Sequence, residues 1–293
     1  MIEIRVRKIL EARGGDFTLD VDLELQEGEF ITLYGPSGSG KTSLLRSLAG
    51  LLTPDKGRIS KGGKVWFDSK ERVHMPPQKR NVGYVFQENA LFPNMTVRGN
   101  LQFAQKKGAP PGLIEELIVD MDLHDLQDRY PDTLSGGQKQ RASLARALAQ
   151  QPDILLLDEP LAALDGVMRL KLQEYILSSH RKFKLTTLMV SHDLAEIIKL
   201  SDTTILLDKG RISKMGTPQQ VFMGNKLSGK FQFTGTLLEL EVQSVITVAS
   251  VLIGNQIVKV AAHPTEVEGL SPGDKVVVAS KAFNPVIYKI EEK

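Results

Sequence analysis

Apolar and polar residues alternate with a period of two through Phe17-Thr18-Leu19-Asp20-Val21-Asp22-Leu23-Glu24-Leu25, the pattern of a strand with one buried face. A continuous apolar run, Phe30-Ile31-Thr32-Leu33-Tyr34, follows as a strand buried on both faces. It ends in a glycine-rich turn, after which residues 43–52 predict a helix closed by Pro54. Strands are also predicted near 65–67 and 82–86. From about 96 to 150 the spacing is helical, with Leu113, Ile114, Leu117 and Ile118 on one face. Two buried strands at 154–157 and 186–190 flank a predicted helix at 167–181, and a strand at 205–207 and a helix near 218–223 complete the region.

A polar, glycine-containing stretch at 224–230 marks a domain boundary. Beyond it the pattern changes to five short strands at 237–242, 245–253, 256–261, 275–279 and 286–290, with turns at Gly254-Asn255 and Pro272-Gly273-Asp274. The predicted architecture is an α/β domain over 1–225, with a helical subdomain at about 88–150, and a small β-barrel over 226–293.

Composition narrows the possible chemistry. The 293 residues are 41% hydrophobic and 25% charged, which predicts a soluble globular protein with room for two domains. A formal net charge of +2, from 37 basic and 35 acidic side chains, gives no warrant for a nucleic-acid groove or a polybasic membrane anchor. Cysteine is absent, which excludes disulfides, thiolate metal sites and cysteine nucleophiles. The opening Met1-Ile2-Glu3-Ile4-Arg5 lacks the apolar run of a signal peptide, and no stretch approaches the roughly 20 apolar residues that span a bilayer. The expectation is a cytoplasmic location.

Four motifs carry chemistry. Gly35-Pro36-Ser37-Gly38-Ser39-Gly40-Lys41-Thr42, between a strand and a helix that begins near Ser43, is a complete phosphate loop. Its glycines let successive backbone N–H groups face a polyphosphate, Lys41 reaches the β- and γ-phosphates, and the Thr42 hydroxyl suits Mg²⁺. Ile154-Leu155-Leu156-Leu157-Asp158-Glu159 is an apolar strand ending in two acids at the sheet's carboxyl edge, where α/β folds bind ligands. Asp158 suits Mg²⁺ and Glu159 suits a general base for water. Val190-Ser191-His192-Asp193 ends another buried strand and brings His192 to that edge; His74, His124, His180 and His263 read as ordinary surface or core residues. Leu134-Ser135-Gly136-Gly137-Gln138 reads as a serine-capped helix start, a second helix-end anion site that one nucleotide does not need. Two chains arranged head to tail would bring one chain's Ser135 to the other chain's nucleotide.

On these residues the chain resembles the ATPase subunits of ATP-binding cassette (ABC) transporters over roughly residues 1–225. Gly35–Thr42 is similar to the Walker A loop, 134–138 is identical to the LSGGQ signature, 154–159 is similar to Walker B, Gln87 matches the Q-loop glutamine and His192 the switch histidine. The resemblance implies a P-loop cassette fold and a homodimer that sandwiches two ATP molecules with Mg²⁺. Gly35, Pro36, Ser37, Gly38, Ser39, Gly40, Lys41, Thr42 and Ser43 of one chain, with Phe17 against the adenine, would bind each nucleotide. Ser135, Gly137, Gln138 and Asp165 of the other chain would complete the site. Lys41, Glu159, His192 and Gln87 are the implied catalytic residues, and Thr42, Gln87 and Asp158 the implied metal-site residues. Membrane permease subunits are the implied partners, docked on the helical region, with a solute receptor acting indirectly and no nucleic acid. The implied location is the cytoplasmic face of the membrane.

The C-terminal region resembles the small OB-like regulatory barrel of importer ATPases through Leu270-Ser271-Pro272-Gly273-Asp274-Lys275-Val276. The cassette is similar to the molybdate branch through 65–69, 76–80, 83–87 and 90–93, parts of which sulfate, iron and polyamine importers share. A cassette ATPase outside transport is the remaining alternative. Two departures stand out. Ala162 lies where the family commonly carries a serine, and Phe283 and Ser228-Gly229-Lys230-Phe231 replace residues common in molybdate-binding barrels. The expectation is active ATP hydrolysis with a barrel that binds molybdate poorly.

Overall fold

The computed structural model describes residues 1–10, 16–88, 90–162, 164–222, 231–242, 247–262 and 267–280. The chain divides into two compact units, Met1–Gly224 and Asn225–Lys293.

In chain order the first unit opens with β1 (Ile2–Leu10), β2 (Phe17–Leu25) and β3 (Phe30–Tyr34), then α1 (Lys41–Ala49). Next come β4 (Lys56–Lys61), β5 (Lys64–Asp68), β6 (Val73–His74) and β7 (Val82–Val85). Three helices follow, α2 (Val97–Ala104), α3 (Leu113–Asp120) and α4 (Gly136–Ala149). The rest alternates: β8 (Ile154–Asp158), α5 (Gly166–Lys182), β9 (Thr186–Val190), α6 (Leu194–Leu200), β10 (Thr203–Asp208), β11 (Arg211–Gly216) and α7 (Pro218–Phe222).

Two sheets result. One is antiparallel, in the order β2-β1-β4-β5-β6; the other is six-stranded, β11-β10-β3-β9-β8-β7, and parallel from β10 to β7. The central strands β8 and β9 are buried at every position, as expected where both faces are covered. Successive residues therefore serve different cores. Ile154 and Leu156 pack with Leu44, Leu45 and Leu48 of α1 and with the antiparallel sheet, whereas Leu155 and Leu157 pack with Leu144 and Leu148 of α4 and Ile176 of α5. Leu113, Ile114, Leu117 and Ile118 are all buried on α3, as their spacing predicts.

The helix after the phosphate loop starts at Lys41, inside the motif, and stops at Ala49, earlier than the predicted 43–52. Gly50 ends it in a left-handed conformation, φ 81°, with its N–H bonded to the carbonyls of Arg46 and Ser47. No helix among the described residues is long and apolar enough to cross a membrane.

The second unit contains β12 (Phe231–Val242), β13 (Thr247–Ile253), β14 (Gln256–Ala262) and β15 (Lys275–Ser280), an antiparallel sheet ordered β14-β13-β12-β15. The Gly254-Asn255 turn joins β13 to β14 with Ile253 opposite Gln256. Among the described residues this is a four-stranded sheet, which holds four of the five strands predicted for a barrel. The fifth expected strand, 286–290, lies outside the described residues, as do the 224–230 boundary except for Gly224's place in the first unit, Ser228, Gly229, Lys230, Phe283 and His263.

Candidate functional site

Four neighbouring strands of the parallel sheet, β3, β9, β8 and β7, run in one direction, so the segments after them emerge along one edge. Those segments are the phosphate loop after β3, His192 after β9, Glu159 after β8 and Gln87 after β7. Sequence motifs spread over 158 residues become a single rim, at the edge where open α/β sheets take ligands.

The phosphate loop is held tightly. Gly35 has φ +153°, and a Cβ there would lie 2.0 Å from the Leu207 carbonyl oxygen on β10, so no larger residue fits without moving backbone. Gly40 precedes α1 with no side-chain cap, which leaves the first N–H groups of the helix for a ligand. Lys41 is 8% exposed and its Nζ donates to the Gly35 and Pro36 carbonyls, 2.8 Å each. Burial pushes its ammonium below the ordinary value, while the charges of Glu159 and Asp158 work the other way. Ser39 Oγ is buried and has no hydrogen-bond partner. An uncapped helix start, a desolvated cation and an unpartnered hydroxyl in one loop fit a polyphosphate.

Thr42 Oγ1 donates to Asp158 Oδ1 at 2.8 Å, and the Tyr84 hydroxyl donates to Asp158 Oδ2 at 3.0 Å. Tyr84 is pushed up, first by burial and then by the Asp158 charge, so its hydroxyl stays a donor. The oxygen-only set of Thr42, Asp158 and the Gln87 side-chain carbonyl has the hardness that Mg²⁺ selects. Gln87 Nε2 also makes a long 3.4 Å contact to Glu159 Oε2. Glu159 itself has a left-handed backbone, φ 49°, which costs about 1–2 kcal/mol for a residue with a Cβ and is the kind of strain that collects at functional sites.

Phe17, Ser37, Gly38, Gly40, Lys41, Thr42, Ser43, Gln87 and Glu159 line one open cavity of about 430 Å³. Phe17 thus shares the cavity of the phosphate loop. His192 is exposed and shares a second, much smaller cavity of about 30 Å³ with Glu159, Ala162 and Arg169. Behind it lies a network absent from the motif reading. Ser191 Oγ donates to the buried Glu196 Oε2 at 2.6 Å and accepts from the Asp193 N–H. Arg169 Nη2 donates to the Leu164 carbonyl, and the same side chain lies 3.6 Å from Asp193 and 3.7 Å from Glu196. Arg169 so links the segment carrying Ala162 and Asp165 to Asp193 and Glu196 beside His192.

Ser135, Gly137 and Gln138 are not brought to either cavity. They begin α4 with a capping box: Ser135 Oγ accepts from the Gln138 N–H at 3.4 Å while Gln138 Oε1 accepts from the Ser135 N–H at 2.9 Å. Ser135 and Gly136 are exposed. Gly137 is buried, and a Cβ there would lie 2.7 Å from Met168 Cγ on α5. Asp165 caps α5, its Oδ1 accepting from the Met168 N–H at 2.8 Å.

The profile of a family described as ABC transporter matches residues 18–162. A molybdenum import ATP-binding protein of Paramagnetospirillum magneticum is 43% identical over 230 residues, 76% of this chain and 63% of that relative's length. A sulfate/thiosulfate import ATP-binding protein of Bradyrhizobium diazoefficiens is 38% identical over 280 residues, 92% of this chain and 78% of the relative. A probable sulfate/thiosulfate import ATP-binding protein of Chlorella vulgaris is 42% identical and is covered to 93% of its length. Among solved structures, a dimeric ATP-binding cassette in a post-hydrolysis state with ADP and Pi superposes with a TM-score of 0.64 at 28% identity, covering 74% of this chain and 99% of that one.

Proposed function

The chain belongs to the ABC transporter family of ATP-binding subunits, and from that premise we propose that it hydrolyses ATP to power import of a small oxyanion, molybdate or a sulfate-type anion. The single observation that carries the ATPase reading is the convergence of the phosphate loop, Asp158, Glu159, Gln87 and His192 on one sheet edge, with Thr42 already bonded to Asp158. The oxyanion class is supported by relatives named for molybdenum import and for sulfate or thiosulfate import, which do not separate the two cargoes.

In this reading the nucleotide phosphates lie across the N-terminus of α1. Lys41 exchanges its two carbonyl partners for β- and γ-phosphate oxygens, and Ser39 gains the partner it lacks. Thr42, Asp158 and the Gln87 side-chain carbonyl would hold Mg²⁺, whose charge would offset that of the phosphates. Glu159 accepts a proton from the attacking water as its oxygen bonds to the γ-phosphorus and the bond to the ADP oxygen breaks. His192 donates to the γ-phosphate and fixes the direction of attack, and Phe17 stacks on the adenine.

Ser135, Gly137, Gln138 and Asp165 would act in a second copy, a reading supported by their separation from the cavity and by the dimeric cassettes that superpose on this unit. A groove of about 640 Å³, with Phe86, Phe92 and Phe103 among its walls, supports docking of an apolar-faced permease helix on the helical region. Such docking would place the chain at the cytoplasmic face of the membrane. The C-terminal sheet would belong to a regulatory barrel of residues 226–293. Steady-state phosphate release by wild type and Glu159→Gln tests the ATPase reading. Loss of about 100-fold or more in kcat with nucleotide affinity retained is expected; equal turnover removes Glu159 as the base.

A further inference from the structure

Asp158 is gripped on both carboxylate oxygens. Thr42, on α1, takes Oδ1, and Tyr84 takes Oδ2 across the sheet. Tyr84 lies opposite Leu156 in the β7–β8 register, so Asp158 is its diagonal neighbour two residues on, within reach of the tyrosine hydroxyl. The other end of the same side chain belongs to a different surface. The Tyr84 ring packs on Phe86 with centroids 4.3 Å apart, and both rings line the 640 Å³ groove together with Phe92 and Phe103. One residue therefore touches the metal-site carboxylate with its hydroxyl and the groove with its ring.

We infer that Tyr84 is a positioning residue that sets the orientation of Asp158 for the metal and lets the occupant of the groove bear on that orientation through the Tyr84–Phe86 pair, by a route separate from Gln87. The inference rests on Asp158 being a metal-site residue, as proposed above. Without the Tyr84 hydroxyl, Oδ2 loses its fixed donor and the Asp158 carboxylate is held through Thr42 on Oδ1 alone. The nucleotide's own contacts with the phosphate loop are untouched.

The test uses the full chain and a fluorescent ATP analogue, titrated in EDTA and then with increasing Mg²⁺. Tyr84→Phe keeps the ring and the stack. It should bind nucleotide in EDTA within about twofold of wild type and need roughly three- to tenfold more Mg²⁺ for half of the metal-dependent change. Phe86→Leu, which does not touch Asp158, should raise the Mg²⁺ requirement by about two- to threefold alone and not further in the Tyr84→Phe background. An unchanged Mg²⁺ requirement in Tyr84→Phe overturns the inference, as does an equal loss of binding in EDTA, which would mark a merely structural tyrosine. Additive effects of the two substitutions overturn the groove-side half. A wild type with no metal-dependent change would instead overturn the metal reading of Asp158, and this inference with it.

Discussion

Two helices in the first unit begin with glycine-rich motifs, and their N-termini are built in opposite ways. At α1 the preceding Gly40 supplies no side-chain cap, so the first N–H groups stay unsatisfied, and Lys41 of the helix itself crowds round them with Gln87, Asp158 and Glu159 from two other segments. At α4, Ser135 and Gln138 satisfy each other's backbone in a closed capping box, and Ser135 and Gly136 face outward with no cavity residue beside them. An uncapped end ringed by charge is prepared to bind a ligand by itself. A capped and exposed end keeps its helix without a ligand and can only contribute to a site whose other wall comes from elsewhere.

The largest effect should come from breaking the first end. Gly35→Ala would force a Cβ to within 2.0 Å of the Leu207 carbonyl, a backbone atom of a central strand that cannot step aside. Destabilisation of ~3 kcal/mol is expected in chemical denaturation, together with loss of nucleotide binding. Wild-type stability and affinity in this variant would mean that the loop is not pinned by β10.

Breaking the second end should leave the first intact. Ser135→Arg removes the cap, worth about 1 kcal/mol, and fills the space above α4 with a long side chain. Binding of an ATP analogue by single chains should persist, while analogue-dependent dimer formation on a sizing column should disappear. Unchanged dimer formation would show that α4 is no part of a shared site, and the contrast between the two helix ends would lose its functional meaning.

The first end was legible in the sequence because its parts are contiguous: eight residues from Gly35 to Thr42 carry the turn, the cation and the hydroxyl. The apolar runs of β8 and β9 announced buried strands, and the acids and histidine at their ends announced a sheet edge. Register was not legible. That Tyr84 falls diagonal to Asp158 depends on how β7 pairs with β8, across 74 residues of chain. Arg169 and Glu196 carry no motif, and nothing in their local pattern tells that α5 and α6 meet behind His192. The start of α1 was misplaced for a related reason: Lys41 and Thr42 look like the end of a turn, yet the free N–H groups that make the loop work are those of a helix already begun. In the second unit, Gly254-Asn255 marked the β13–β14 hairpin correctly, whereas the first part of β12, Phe231 to Thr236, which pairs with the distant β15, was missed.

The smallest expected effect concerns the wall behind the first end. Glu196 is buried and pushed above its ordinary 4.5, chiefly by burial and further by Asp193, with the Ser191 hydrogen bond, Arg169 and His192 opposing. The folded protein therefore keeps this proton to a higher pH than the unfolded chain does. Between the ordinary and the raised value the folded state binds more protons, so stability falls as pH rises through that interval, and the cost is complete above it. Glu196→Gln keeps the shape and the acceptor for Ser191 but cannot ionise. Its Tm relative to wild type should rise by about 1–3 °C between about pH 5 and about pH 7.5, measured in matched buffers. A difference that stays constant with pH would mean that Arg169 fully offsets the burial of Glu196. The Arg169 network would then be a balanced ion cluster, and His192 would rest on a wall with no stored electrostatic cost, as indifferent to pH as the capped end of α4.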